Sequence, residues 1–140
     1  MASGGISIGR KLFEEIDKPI ESKVVFENKK EGMIERESTW TGDIKGYTPF
    51  PSGRAAGSGR SFIHDNGITI SHWEGIFSAE DEQLTFKGRD MNKNGKFVVL
   101  RTYFTNSEAL GWMNGLVCIL SGEFETSIGG FKCTGYELMF

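Results

Sequence analysis

Short turn sequences divide this chain into segments of strand length, and their positions constrain the fold more than any other feature. The most specific is Asn66-Gly67, which lies within FIHDNGITISHWEGIF (62–77). Both central residues of the tightest hairpin turns need positive φ angles, so Asn-Gly between apolar segments is the strongest short-range hairpin signal. Further turn sequences lie at 78–81, 92–95 and 127–130. The chain therefore reads as successive strands joined by hairpins.

The composition also favours strands over helices. The 140 residues include 19 Gly and 11 Phe but only 5 Ala, a balance that suits pleated strands joined by tight turns. Leu, Ile, Val and Phe together account for 35 residues, which lies above the share typical of disordered chains. A chain of this length can close a single core, so we expect one domain over residues 1–140.

We predict an all-β fold, an antiparallel meander of eight strands. The strands are expected at 22–27, 33–44, 60–65, 68–77, 83–90, 96–105, 115–125 and 131–139. An open meander leaves two unpaired edges, and closing it into a small barrel removes both of them. The closed barrel is therefore the predicted architecture.

Three further segments are predicted from local patterns. Residues 1–20 form an N-terminal extension in which 8–17 carries apolar residues at helical spacing, with a short strand as the open alternative. A single helical turn is expected at 107–114, where Ser107 can act as the N-cap. Residues 46–59 contain two prolines and four glycines, which predicts a long loop, either a flexible connector or a portal over one mouth of the barrel.

The charge pattern limits the classes of function. The net charge is −3 with a pI near 5.4, and acids and bases alternate rather than forming a basic surface for a nucleic-acid backbone. No apolar run is long enough to span a bilayer, and the first residues do not resemble a secretory signal. We therefore expect a cytoplasmic protein that binds neither nucleic acid nor membranes.

Cys118 and Cys133 are the only cysteines of the chain. A hairpin over 127–130 places Cys133 opposite Phe124 and Cys118 opposite Met139, so the two sulfur atoms are too far apart to form a disulfide. Two free, buried thiols are expected, as in a reducing compartment.

Both histidines lie in the hairpin at 62–77. A two-residue turn pairs His64 with Thr69, and it sends His64 and His72 to opposite faces of the sheet. The two imidazoles then cannot share an ion, and we predict neither a metal site nor a cofactor. His72 and Glu74 share a face, which makes them candidates for acid–base catalysis, with a solvated surface pair as the alternative.

The segment STWTGDIKG (38–46) and the glycine-rich stretch before the Asn66-Gly67 hairpin resemble the small calycin-like and allene-oxide-cyclase-like β-barrel proteins. The resemblance is one of fold pattern and covers residues 22–139. It implies a barrel. Proteins of these groups include small-molecule carriers and cofactor-independent cyclases, so the resemblance alone does not decide between functions.

The leading functional prediction is a barrel whose lumen binds one small apolar or amphipathic molecule. Aromatic and polar side chains are expected to line that lumen: Trp40, Arg60, Phe62, Trp73, Phe77, Phe86, Arg101 and Tyr103. A cofactor-independent isomerase or cyclase is the first alternative, and a structural or protein-interaction module with a filled lumen is the second. Strands at 98–104 and 115–120 are apolar on both faces, so the turn at 107–114, the N-terminal segment or a second subunit is expected to cover their outer side. Of these we favour a second subunit, that is, a homo-oligomer.

Overall fold

The computed structural model describes residues 5–140 as a ring of eight antiparallel strands. The strands are β1 (Ser7–Asn28), β2 (Met33–Gly46), β3 (Gly53–His64), β4 (Ile68–Ala79), β5 (Glu82–Lys93), β6 (Lys96–Phe104), β7 (Val117–Glu125) and β8 (Gly130–Met139). Each strand pairs with its neighbours in the sequence, and β1 also pairs with β8, from Ser7 opposite Met139 to Asp17 opposite Phe131. The predicted eight-stranded, closed, barrel-like fold is confirmed.

The alternation of side chains along the strands separates the lumen from the outer face. On β6, Val99, Arg101 and Tyr103 are buried, whereas Val98 and Leu100 are about half exposed. Since successive side chains of a strand point to opposite faces, the odd-numbered residues of β6 face the lumen. The two-sided apolar pattern of β6 therefore leaves apolar side chains on the outer surface.

The first strand corrects the helix prediction for 8–17. Residues Ser7–Asn28 form one long strand, because β2 and β8 pair with it on either side. A bulge between Lys11 and Phe13 interrupts the alternation, so Leu12 and Phe13 are both buried. This local break produced the helix-like spacing. A second irregularity follows Pro19, which has no N–H to donate to the ladder.

The loop predicted at 46–59 is only six residues long, because β3 already begins at Gly53. The glycines of β3 make room for aromatic rings rather than for a flexible connector. A Cβ atom at Gly57 would overlap the Trp40 indole, and one at Gly59 would overlap the His72 backbone oxygen and the Trp73 ring. The loop prediction for this glycine-rich sequence is therefore wrong from residue 53 onwards, because these glycines lie in a strand and allow close packing.

The register of the β3–β4 hairpin differs from the prediction by one residue. Gly67 adopts φ +89°, and its N–H donates to the His64 carbonyl oxygen at 3.1 Å, so the loop has three residues instead of two. Phe62 therefore lies opposite Ile70. The predicted placement of the two histidines on opposite faces is wrong, since the alternation of β3 and β4 puts His64 and His72 on the same outer face.

Helical structure is shorter than predicted for 107–114. One 3₁₀ turn covers Gly111–Met113, and the Ser107 Oγ accepts a hydrogen bond from the Leu110 N–H at 3.3 Å. Between residues 5 and 140, none of the helical structure is long or apolar enough to cross a membrane.

The two cysteines are free and buried, as predicted. The register of their hairpin is two residues away from the predicted one, because Cys133 lies opposite Gly122 and Cys118 opposite Glu137.

Candidate functional site

One half of the lumen is filled by aromatic rings. Phe50, which follows β2 in the connecting loop, is 2% exposed and lies 4.7 Å from Phe13 and 5.7 Å from Phe77, centroid to centroid. Tyr103 packs against the edge of Phe50 at 5.8 Å and lies 6.2 Å from Phe86. Such close offset and edge-to-face contacts leave no room for a ligand. This end of the lumen is closed.

A buried ion pair crosses the middle of the lumen. The Arg101 guanidinium on β6 donates to both carboxylate oxygens of Glu15 on β1, at 2.6 and 3.0 Å, and to the Tyr103 hydroxyl at 3.2 Å. Burial opposes ionisation of Glu15, but the guanidinium holds the pKa of that carboxyl below its ordinary value. The Phe86 ring lies 4.8 Å from the guanidinium carbon. We call Glu15 and Arg101 the crossbar.

Beyond the crossbar the lumen is open and forms a cavity of about 370 Å³. This volume lies at the small end of the range for ligand pockets. Apolar and aromatic side chains make up much of the wall: Trp40, Ile63, Trp73, Phe97, Val99 and Phe131. Arg101 and two aspartates, Asp17 and Asp90, provide the charged groups deep in the cavity, and Arg36 stands on the part of β2 near its mouth. This cavity is the candidate functional site.

Asp17 on β1 lies beside the crossbar. Its Oδ1 packs over Gly42, where a Cβ atom would collide with it, and this oxygen has no hydrogen-bond partner among residues 5–140. Burial, together with the neighbouring Glu15 carboxylate, raises the pKa of Asp17 well above its ordinary value, and the Arg101 charge opposes the rise only in part. A protonated Asp17 can donate a hydrogen bond, whereas an ionised one would place a second buried negative charge beside Glu15.

Asp90 on β5 is held differently. The Trp73 Nε1–H donates to Asp90 Oδ2 at 3.0 Å, and Oδ1 has no partner within the described chain. Burial raises the pKa of Asp90, while hydrogen bonds from Trp73 and Ser71 act in the opposite direction. The Ser71 hydroxyl lies 2.8 Å from that of Ser61. Asp90 is therefore an acceptor supported by neutral donors, in contrast to Asp17, which lies beside a carboxylate.

The geometry around Asp17 suits a proton better than a metal ion. Ligand atoms of Glu15, Asp17 and Cys133 lie within 4.8 Å of one another. However, both Glu15 oxygens already accept N–H groups of Arg101, so the guanidinium occupies the side on which a cation would bind. Burial also raises the pKa of the Cys133 thiol, which keeps it protonated and a poor metal ligand.

The structure separates the predicted ligand-binding residues into two groups. Six of them face the lumen: Trp40, Trp73, Phe77, Phe86, Arg101 and Tyr103. The first two and Arg101 line the cavity, while the other three belong to the filled half or its boundary. Lumen placement of Trp40 and Trp73 agrees with the sequence analysis.

Arg60 and Phe62 lie on the outer face, contrary to the expectation for lumen-lining residues. Arg60 donates to Glu35 at 2.6 Å and to Glu37 at 2.8 Å, and its side chain is 53% exposed. His72 packs against the edge of Phe62 at 6.0 Å. The one-residue shift of the hairpin register explains the error for β3.

The catalytic candidates His72 and Glu74 also lie on the outer face. They share a face as predicted, and no hydrogen bond or ion pair joins them in the described chain. Both side chains line a wide surface depression and lie outside the lumen cavity.

Sequence reasoning missed Glu15, Asp17 and Asp90. Glu15 and Asp17 fell in a segment expected to be a helix, in which acids occur on every side. Asp90 ends the predicted strand 83–90, where alternation with the apolar Leu84 and Phe86 places it on the same face. That alternation was the available signal.

Comparison with known proteins relates this chain to others through its fold alone. No protein-family model matches the chain, and no curated protein matches its sequence. Solved structures do match over nearly the full length, with low sequence identity.

A conserved protein of unknown function from Rhodopseudomonas palustris has a TM-score of 0.77 and 11% identity, covering 98% of this chain and 100% of that one. A β-barrel-like protein from Acinetobacter baumannii has a TM-score of 0.73 and 16% identity, with 99% of both chains covered. A third structure, described as an enzyme from Penicillium herquei, has a TM-score of 0.70 and 15% identity, with 98% of both chains covered. This chain therefore shares a small barrel-like fold with these proteins, and the comparison carries no activity over to it.

Proposed function

We propose that the open half of the lumen binds one small, uncharged and largely apolar molecule that carries an oxygen function. The observation that carries the proposal is the cavity of about 370 Å³, whose wall includes two indoles and two aspartates that each keep one buried oxygen without a partner in the described chain. Buried polar atoms normally have partners, so a hydroxyl or carbonyl group of a ligand would satisfy them. Asp17 can donate to such a group and Asp90 can accept from it.

The same features support a neutral ligand over an anion. The crossbar already neutralises Arg101, the deepest positive charge, through two hydrogen bonds to Glu15. A carboxylate or phosphate entering the cavity would therefore meet Asp17 and Asp90 without a free cation at its floor.

Tryptophan fluorescence tests the proposal. The Trp112→Phe variant removes the indole outside the cavity, so that the signal of Trp40 and Trp73 remains. Titration with cyclohexanone or camphor, two neutral ketones, should then give a saturable quench.

A pair of matched variants locates the binding. Val99→Phe fills the cavity and should weaken the apparent affinity by at least about tenfold, whereas Leu100→Phe on the outer face of the same strand should leave it unchanged. Equal affinities of the two variants would contradict binding in the lumen.

A second observation supports the expected homo-oligomer. Phe62, Ile70, Met91 and Val98 are neighbours across four strands on the outer face, and Met91 and Val98 are 55% and 46% exposed. We propose that this apolar row packs against a second copy of the chain. Light scattering should give the mass of a dimer, and Met91→Glu should reduce it to that of the monomer. A monomeric wild-type protein at high concentration would refute this.

A further inference from the structure

The two aspartates of the cavity stand on opposite walls. Asp17 belongs to β1 and Asp90 to β5, and these strands are four positions apart in a closed ring of eight. The Trp40 and Trp73 indoles pack edge to face at 6.4 Å and form one part of the wall. A molecule that fills the cavity beside them therefore has one aspartate on either side. Two groups that approach a ligand from opposite sides can remove a proton at one atom and deliver a proton at another.

Every titratable or charged group packed around Asp17 favours the protonated form or is already neutralised. Glu15, on the same strand, is an ionised carboxylate, and Arg101 on β6 gives both of its hydrogen bonds on that side to Glu15. Cys133 on β8 is a buried thiol, and on β2 the residue opposite Asp17 is Gly42, while the charged Arg36 lines the same cavity farther along the strand. Asp17 thus holds the proton of a hydrogen bond with the Glu15 carboxylate, and a ligand oxygen would compete with Glu15 for that proton.

The groups around Asp90 favour the ionised form by comparison. Trp73 on β4 donates a hydrogen bond to its Oδ2, and Trp73, Ser71 and the His72 imidazole all act to lower its pKa, against the burial that raises it. No carboxylate acts on Asp90 among the groups that shift its pKa. Burial raises the pKa of both aspartates, but only Asp17 also has a carboxylate beside it, so Asp17 is the stronger candidate for the acid and Asp90 for the base.

We propose that Asp90 and Asp17 act as the base and the acid of a cofactor-independent isomerase whose substrate is a small, neutral, unsaturated ketone. This inference rests on the proposed function, because the substrate occupies the same cavity. It adds a reaction and two roles to the binding site.

The reaction balances without a co-reactant. The Asp90 carboxylate takes a proton from the carbon between the carbonyl group and the double bond, so a C–H bond breaks and an O–H bond forms on Asp90. The electron pair moves into the carbonyl group, whose oxygen takes the Asp17 proton, and a dienol results. Asp90 then returns its proton to the far carbon of the double bond, and the enol O–H proton goes back to Asp17. The product is the conjugated ketone, and both aspartates end as they began.

The test uses the β,γ-unsaturated isomer of cyclohexenone as the probe. Ultraviolet absorbance follows its conversion to the conjugated isomer, and the Trp112→Phe fluorescence assay measures its binding in parallel. Asp90→Asn and Asp17→Asn should each lower kcat/KM by at least about 100-fold, the usual scale of general acid–base catalysis. Glu74→Gln, a carboxyl group on the outer face, should have no effect.

Two measurements distinguish a role of Asp17 as the acid from a purely structural role. The wild-type pH profile of kcat/KM should be bell-shaped, and Asp17→Asn should remove its alkaline limb while the acid limb set by Asp90 persists. Infrared spectra at neutral pH should contain a protonated carboxyl band that is lost in Asp17→Asn and kept in Asp90→Asn. Circular dichroism confirms that each variant is folded.

The outcomes distinguish the two proposals. Saturable binding of the probe without conversion overturns the isomerase and leaves the binding function standing. Conversion that survives both amide substitutions also overturns it, as does a protonated-carboxyl band that persists in Asp17→Asn. Absence of both binding and conversion, with the neutral ketones failing as well, overturns the binding function and the isomerase together.

Discussion

Replacing Arg101 by Met should destabilise the protein far more than the loss of an ordinary ion pair. Glu15 is fully buried, and Arg101 supplies both hydrogen bonds to its carboxylate. Removing the guanidinium leaves a buried charge without a partner, which costs about 3–5 kcal/mol. That loss is a large share of the roughly 5–15 kcal/mol by which a typical domain is stable.

Arg60 provides a matched control. It also bonds two carboxylate oxygens, at 2.6 and 2.8 Å, but its side chain is 53% exposed. Arg60→Met should therefore cost far less stability than Arg101→Met, because an exposed ion pair is screened by solvent. The double variant Glu15→Leu with Arg101→Met removes both charges and should recover most of the stability lost by Arg101→Met alone. Urea unfolding followed by circular dichroism gives all four free energies.

The change of the free energy of unfolding with pH has a predictable direction, which can be measured. In the wild type, Arg101 holds the pKa of Glu15 below its ordinary value, so the stability from the pair is present above pH about 4.5 and is lost as the pH falls through the lowered value. In Arg101→Met, the guanidinium no longer opposes the effect of burial on Glu15, so this carboxyl group becomes easier to protonate. The difference between the variant and the wild type should therefore shrink towards acid pH. A pH-independent difference, or one no larger than that of Arg60→Met, would refute the reasoning.

Three further predictions concern packing and thiol chemistry. Trp40→Ala should cost about 3–5 kcal/mol in urea unfolding, because the indole is 9% exposed and packs 5.7 Å from Phe86; a loss below 1 kcal/mol would contradict its place in the core. Gly59→Ala should lower stability by about 1–3 kcal/mol, since its Cβ would meet backbone, whereas Gly111→Ala meets nothing and should be neutral. Burial raises the pKa of Cys118 to about 12, so a thiol reagent at pH 8 should be inert towards the folded protein and titrate two thiols after unfolding.

Turn sequences carried most of the fold prediction because they are local. Asn66-Gly67 and the turns at 78–81 and 92–95 fixed the strand order from a few adjacent residues each. The register of the strands was harder to predict than their order. One extra residue in the connection between His64 and Ile68 reversed the faces assigned to the side chains of β3. That single residue moved Arg60 and Phe62 out of the predicted lumen.

The candidate site was harder to predict because its groups meet only in three dimensions. Glu15 and Arg101 are 86 residues apart, so no periodicity links them. In the same way, the glycines of β3 could be interpreted only with the indoles of Trp40 and Trp73 in view. Alternation predicts the apolar residues on the lumen side and also Arg101, whereas it does not show which acidic residues meet Arg101 across the ring.

The pairing of β1 with β8 has a consequence for how the chain folds. Seven of the eight strand pairings join neighbours in sequence, six of them through links of two to six residues, so these pairings can form early and independently. The eighth joins Ser7 to Met139 and requires that almost the whole chain be ordered first. Closure of the ring should therefore be the slow, late event of folding, and until then the aromatic lining of an open sheet faces solvent. Refolding yield should fall with rising protein concentration for that reason, since two open sheets can meet before either one closes.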